Sequence, residues 1–404
     1  LEDVKTRPRL LGKLVPNRSR DTDPRSGLET WSVAFSPDGS YFAWSQGHGI
    51  VKLMPWPLKN TNQKKQHIKA GGREKSGSRD KTIDCGQTVW SLAFGVSSAV
   101  NGHRGMGSSR QERSSHFPDQ TLLLATGLAN GEIKLWDVPT ARFLFHLKGH
   151  RAVVRSLAFS PSGSLILVSG SRDKTLHVWD LKQDGKLLRV LTGHSHWVYC
   201  CSLSPDANVL CSVGGGRTVL LWNMLSYELI RRLDGHEGDV VSCDFSPDGA
   251  MLVTASYDTQ AIVWDPHSGE QLMKLSHSSP DVAQDLIAGG FDTGFMRAAC
   301  FSAEGLYVTS VADDGLLRIW CLTLQRPVSI APLVNGLCCT FHPRGAVLAA
   351  GTRDGHVHFW SVPRHLPTLQ HRCRVALRSV MSTQQVTYLS IPNKMKQFLA
   401  YKIF

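Results

Sequence analysis

The 404-residue sequence predicts an all-β molecule, a seven-bladed β-propeller, followed by a small α-helical C-terminal segment. Three observations carry that prediction. Tryptophans that close similar stretches recur at Trp56, Trp136, Trp179, Trp222, Trp264, Trp320 and Trp360, spaced 80, 43, 43, 42, 56 and 40 residues apart. The stretches share an order of marks: a Gly-His pair or its remnant, a short apolar strand ending in Phe or Leu, a Ser-Pro-Asp-Gly-like turn, a second strand, then Trp-Asp or a variant. After Trp360 the alternating pattern stops and a helical period replaces it. A period of about 40–45 residues with these marks is the signature of four-stranded propeller blades, so seven copies mean seven blades. The two long spacings read as insertions.

Residues 1–360 are assigned to the propeller and 361–404 to the tail. Each repeat spans the outer strand of one blade and three strands of the next, and nothing after Trp360 supplies the outer strand of blade 7. A strand at about residues 9–15 is expected to close it and cover the exposed edge. Pro57–Lys81, after the third strand of blade 1, holds eight Lys/Arg against two acids and reads as a disordered basic insert. Gly95–Gln120, between the first two strands of blade 2, reads as a flexible insert. Ser276–Gly294, ahead of blade 6, is an acidic loop with Asp281, Asp285 and Asp292 and no Lys or Arg, expected on the opposite face from the other two.

Within blade 3, His150, Ser169, Asp173 and Trp179 can link loop, strand, turn and strand in one buried hydrogen-bond chain. Blade 5 repeats the set as His236, Thr254, Asp258 and Trp264. Blade 4 has His194, Ser212 and Trp222 but Gly216 at the Asp position, so its set is incomplete. These residues look chemical and are read as structural, because buried polar groups need partners whatever the function.

Composition narrows the function. With 42% hydrophobic residues the chain is not disordered as a whole, and no apolar run approaches the ~18 residues of a spanning helix. The net charge of +12 is concentrated in the basic insert (+6) and the tail from Ser361 (+7), leaving the remainder close to neutral. Nucleic acid is therefore not expected as a partner, since such proteins carry their positive field on the folded surface. The N-terminal residues lack the apolar core of a secretory signal. Ten cysteines without a Cys-x-x-Cys pair fit a reduced, intracellular protein, cytoplasmic or also nuclear, without membrane insertion. Gly214-Gly215-Gly216 lacks the Gly-Lys-Ser/Thr of a phosphate loop, and His356-x-His358 has no third ligand marked nearby. No catalytic residue, cofactor or metal is expected.

In the tail, Leu369, Cys373, Leu377 and Val380 recur on one helical face, with Arg372, Arg374 and Arg378 on other sides. Taken alone, that pattern describes a helix packed on the propeller. Thr368-Leu369-x-x-x-Cys373-x-x-x-Leu377, however, resembles the elongin-binding box of a SOCS box. Val386-x-x-Leu389-Ser390-Ile391-Pro392 with Met395 and Phe398-Leu399 resembles the cullin-selecting box that follows it, with Ser390 in place of a usual Pro and Phe398 in place of Tyr. A WD-repeat β-propeller with this tail is similar to the WD repeat and SOCS box-containing proteins. The resemblance implies a substrate-recognition subunit of an elongin B, elongin C and cullin 5 ubiquitin ligase with its RING partner. It places elongin at Thr368, Leu369, Cys373 and Leu377, and cullin at Leu389, Ile391 and Pro392. The chain would direct ubiquitination and proteasomal degradation of a protein substrate without being an enzyme itself, the chemistry belonging to its partners. Leu369 and Cys373, one turn apart, can enter one apolar groove, and Cys is small and apolar enough for a tight hole. Two readings of other classes stay open: a WD-repeat scaffold whose tail only packs on the propeller, and an RNA-associated propeller using the basic insert.

The substrate would sit on the propeller. Four residues before the Phe or Leu ending each first strand lie Trp31, Trp90, Arg155, Tyr199, Val241, Arg297 and Leu337. Pseudo-symmetry places them in one ring at the channel mouth, on the face away from the basic insert and the root of the tail. Trp31, Trp90, Arg155, Tyr199 and Arg297 are of types enriched at binding hot spots, and form the candidate substrate face. Arg155 and Arg297 would favour an acidic peptide. The competing reading is that these aromatics cap the core.

Overall fold

The described residues form seven four-stranded antiparallel sheets, one per blade. The structure is a computed structural model and describes residues 8–16, 28–58, 80–97, 120–277, 294–362 and 368–402. Most of the basic insert, of the insert in blade 2 and of the acidic loop lies outside the described residues. The innermost strands are Val33–Phe35, Val89–Val96, Val154–Phe159, Val198–Leu203, Val240–Phe245, Met296–Phe301 and Gly336–Phe341. Each lies against its neighbours, from blade 1 round to blade 7 and back, so they enclose a channel.

The alternation of the sequence explains the packing. Side chains of period two go to opposite faces of a blade, and both faces are covered by the next blade. The apolar core is accordingly a series of layers between blades. One joins Leu123, Ile133 and Leu135 of blade 2 to Val154, Leu167 and Trp179 of blade 3, and another joins Phe35 and Phe42 of blade 1 to Val357 and Phe359 of blade 7. The repeating tryptophans Trp136, Trp179, Trp222, Trp264, Trp320 and Trp360 are all buried in such layers.

The Ser-Pro-Asp-Gly turns have a local cause. In blade 5, Ser246 Oγ donates to Asp248 Oδ1 at 2.6 Å and accepts from Met251 N–H at 2.9 Å. Gly249 takes φ = 68°, a left-handed conformation that a residue with a Cβ adopts only at a cost.

Strand Leu10–Leu14 pairs antiparallel with Val357–Ser361, with Leu10 opposite Trp360 and Leu14 opposite Val357. It is the outer strand of blade 7. Three short helices form the tail: α1 (Leu369–Arg378), α2 (Thr383–Tyr388) and α3 (Asn393–Leu399). Among the described residues, no helix is long and apolar enough to cross a membrane.

Candidate functional site

The histidine sets come first, because they compete with any catalytic reading. His150 Nδ1 lies 2.8 Å from Asp173 Oδ2, and His150 Nε2 2.8 Å from Ser169 Oγ, which also accepts from Trp179 Nε1 at 2.9 Å. The carboxylate fixes the proton on Nδ1, so Nε2 accepts from the serine hydroxyl. Blade 5 has the same chain through His236, Asp258, Thr254 and Trp264. In blade 4, His194 reaches Ser212 at 2.7 Å, but its Nδ1 has no partner. Gly216 there holds φ = 69°, so an Asp at that position would be strained, and its N–H instead donates to Asp239 at 2.9 Å.

A further set, His277, Ser310, Asp314 and Trp320 in blade 6, was not anticipated. Ser276 replaces the glycine before His277, which hides the mark, and Arg318 joins Asp314. His150, Asp173 and His177 come close enough to suggest a metal seat. The two imidazoles, however, stack face to face at 3.7 Å and 13°, so their in-plane lone pairs cannot converge on one ion, and both nitrogens of His150 are already engaged.

The ring residues owe their aim to backbone irregularity. In blades 2 to 7 the pairing of the first and second strands shifts register across one residue: Trp90, Arg155, Tyr199, Val241, Arg297 or Leu337. Such bulges redirect a side chain. The rings of Trp31 and Trp90 lie 4.2 Å apart, and the Arg155 guanidinium sits 5.6 Å, 4.7 Å and 5.7 Å from the Trp31, Trp90 and Tyr199 rings. Burial, with Arg172 nearby, pushes the pKa of Arg155 down to about 10.

Arg297 departs from expectation. It makes a two-pronged pair with Asp313, at 2.8 Å and 2.5 Å, and its Nη1 donates to the Tyr257 hydroxyl. Its charge is thus already paired within the chain, unlike that of the free cation expected to favour an acidic peptide. Val241 is half-buried and Leu337 buried, and neither adds charge or a hydrogen-bonding group.

Arg172 and Trp197 were missed. Arg172 lies 5.0 Å from the Trp90 ring and 4.6 Å from the Trp197 ring. The residue before each structural Asp bonds back to the loop ahead of the first strand: Arg172 to Val153, Tyr257 to Asp239, Asp313 to Phe295. This offset repeats in sequence and defines a second ring, in which blade 3 adds a cation and blade 6 an acid.

Below the mouth is a cavity of about 540 Å³ lined in part by Cys200, Cys243, Cys300 and Asp244. Contacts with neighbouring thiols, together with burial, hold Cys200 and Cys300 well above the ordinary thiol range, and burial does the same for Cys243. These thiols stay protonated and are poor nucleophiles.

The tail lies on the opposite end, where the turns between first and second strands emerge. Thr368 caps α1 by accepting from His371 N–H, and the His371 ring nitrogen donates to the Glu304 carbonyl of a blade 6 turn at 3.0 Å. The helix turns its arginines inward. Arg374 and Arg378 are only 2% and 4% exposed, while Leu369, Leu377 and Val380 are 76%, 42% and 74% exposed and Cys373 is exposed.

The Arg374 guanidinium lies 3.4 Å from the Phe398 ring centre and 4.6 Å from that of Tyr401. Arg378 donates to Thr383 Oγ1, which donates to Asp265 Oδ2, both at 2.7 Å. The Tyr401 hydroxyl donates to Asp248 at 2.6 Å. Leu389 and Ile391 are half-buried and Pro392 is exposed in the link between α2 and α3.

The pattern of the WD domain, G-beta repeat, matches residues 141–180, 185–223, 227–265 and 331–361, and that of the SOCS box matches 365–400. The chain is 52% identical to WD repeat and SOCS box-containing protein 1 of Homo sapiens over 98% of this chain and 97% of that protein. The protein of the same name from Danio rerio is 52% identical, over 98% and 96%. Transducin beta-like protein 3 of Rattus norvegicus is 35% identical over 28% of the chain and 14% of its own length. Carrying both modules and sharing about half its residues end to end with the human and Danio rerio proteins, the chain belongs to the WD repeat and SOCS box-containing protein family.

Proposed function

We propose that the protein is the substrate-recognition subunit of an elongin B/C–cullin 5 ubiquitin ligase. The propeller holds a protein substrate at the channel mouth, the SOCS box docks on elongin B/C and on cullin 5 with its RING partner, and the bound substrate is ubiquitinated for proteasomal degradation. The WD repeats and the SOCS box together support the broader part of this reading, a non-catalytic adaptor. Within the finer part, docking on elongin is carried by one observation, the orientation of α1. An amphipathic helix that merely packs buries its apolar face. Here the arginine face is turned inward, onto Phe398, Tyr401 and Thr383 of the tail, and Leu369, Cys373 and Leu377 are left in solvent. An exposed stripe of this kind fits a helix-in-groove partner. It favours this reading over the scaffold reading, because the side of the helix that packs is not the side that carries the apolar stripe.

Leu369→Ala with Cys373→Phe should abolish co-purification of elongin B and C while the propeller melts as before. Losing a groove-filling Leu costs ~2–5 kcal/mol, and a phenyl ring does not enter a hole sized for a thiol. Retention of elongin C by the double variant would sink the ligase reading.

A further inference from the structure

Among the described residues, two cations at the channel mouth have no ion-pair partner. The guanidinium groups of Arg155 and Arg172 lie 4.7 Å and 5.0 Å from the one Trp90 ring, and the Nε of each is buried without a hydrogen-bond partner. Among the described residues no carboxylate forms an ion pair with either. The acid next to Tyr199, Asp239, is already engaged by the Tyr199 hydroxyl and the Gly216 N–H. The contrast with blade 6 is direct, since the equivalent pair of positions there holds Arg297 and Asp313, bonded to each other.

Aromatic faces offset part of the cost of holding two cations together, but a partly desolvated anion would offset far more. Beside the two arginines an arc of aromatic rings follows the mouth, Trp197 to Tyr199 to Tyr257 to Phe295, with ring centres 6.3 Å, 6.5 Å and 5.4 Å apart. Trp197 and Phe295 are 45% and 37% exposed.

We propose that Arg155 and Arg172 form an anion pocket for the substrate peptide. It takes a single carboxylate or phosphate carried on a side chain, while apolar residues beside that group lie along the aromatic arc. The proposal rests on the substrate-receptor reading and narrows it from a whole ring to an anionic contact between blades 1 and 4, with the aromatic arc running on from blade 4 to blade 6. Charge favours a short acidic peptide over a nucleic acid. Outside the basic insert and the tail the chain is nearly neutral, and Asp239 and Asp313 stand on the same rim, so the positive field is local and suits one anionic group rather than a polyanion.

The test uses the full chain purified with elongin B and C and a displayed library of random peptides. Each selected peptide is resynthesised with its acidic position as Asp, phosphoserine or Asn, and binding is read by fluorescence anisotropy. The expected peptides carry an acid at a fixed place beside an aromatic or aliphatic residue, and the Asn form binds about tenfold or more weakly. Arg155→Gln with Arg172→Gln should erase the difference between Asp and Asn forms. Arg172→Gln alone, in a turn, should reduce it by itself if the double variant does not fold. A tighter phosphoserine form assigns the pocket to phosphate, and equal affinities assign it to carboxylate. Selected peptides without acids, binding indifferent to both arginine variants, or equal competition by a short oligouridine would overturn the proposal. Elongin co-purification is scored on the same preparations: its loss with peptide binding intact overturns the ligase reading alone, and the converse overturns the pocket alone.

Discussion

His194 and His177 show how a structural residue sets solution behaviour. Burial holds both imidazoles neutral and lowers their pKa values from 6.5 to about 4, with the charge of neighbouring Arg232 adding to the effect at His194 and His150 adding to it at His177. The unfolded chain binds a proton at each near pH 6.5, while the folded chain resists until about pH 4. Between those values the unfolded state holds more protons, so stability rises with pH across the window and falls as acid is added. Thermal melting recorded from pH 7 to pH 4 should therefore show a steady loss of Tm beginning near pH 6.5. His194→Asn removes one titrating group, and its Tm should fall less steeply over the same window even if it starts lower. Equal slopes for variant and wild type would mean that His194 is protonated in the folded state.

At the scale of elements, the strand Leu10–Leu14 and helix α1 differ in how far the sequence revealed them. The strand is legible by subtraction: the tryptophan period leaves blade 7 one strand short, and the run from Arg9 to Val15 near the N-terminus can fill it. Pairing with Val357–Ser361 covers hydrogen-bonding groups that would otherwise form a free sheet edge. Removing residues 1–16 should lower the Tm and produce aggregates by light scattering. A truncated chain that melts like wild type and stays monomeric would show that the strand is dispensable.

In α1 the sequence displayed the periodicity of both faces but not which face was turned inward. Arg374 and Arg378 look like solvent residues until Phe398, Tyr401, Thr383 and Asp265 are brought beside them, and those contacts span up to 118 residues of chain. At the channel mouth the same limit applied. The first ring followed from one repeating offset, but the neutralisation of Arg297 required a second, the residue before each structural Asp. His277 escaped because its set survives without the glycine that marks the others.

The molecule as a whole places its two candidate surfaces at opposite ends, with the channel mouth at one and the outward face of α1 at the other. The tail is fastened to blades 5 and 6 by polar contacts from three segments: His371 to Glu304, Thr383 to Asp265 and Tyr401 to Asp248, with Lys402 paired to Glu270 at 2.7 Å. Asp248 and Asp265 are 6% and 1% exposed, so each needs its donor, and losing one leaves a buried carboxylate underserved at a cost of ~1–3 kcal/mol. These bonds fix the angle between the channel mouth and the outward face of α1. Thr383→Val with Tyr401→Phe keeps side-chain shape, deletes both hydroxyl bonds and leaves Leu369, Cys373 and the channel mouth untouched. Hydrogen exchange in residues 369–399 should rise at least about tenfold, reporting that the tail has loosened. Elongin and substrate peptide should bind as before. In a reconstituted ligase, ubiquitin transfer to bound substrate should slow several-fold and spread over more lysines, because positioning sets which amine reaches the thioester. If exchange rises while the rate and the set of modified lysines stay the same, the fastening holds the tail without orienting the substrate.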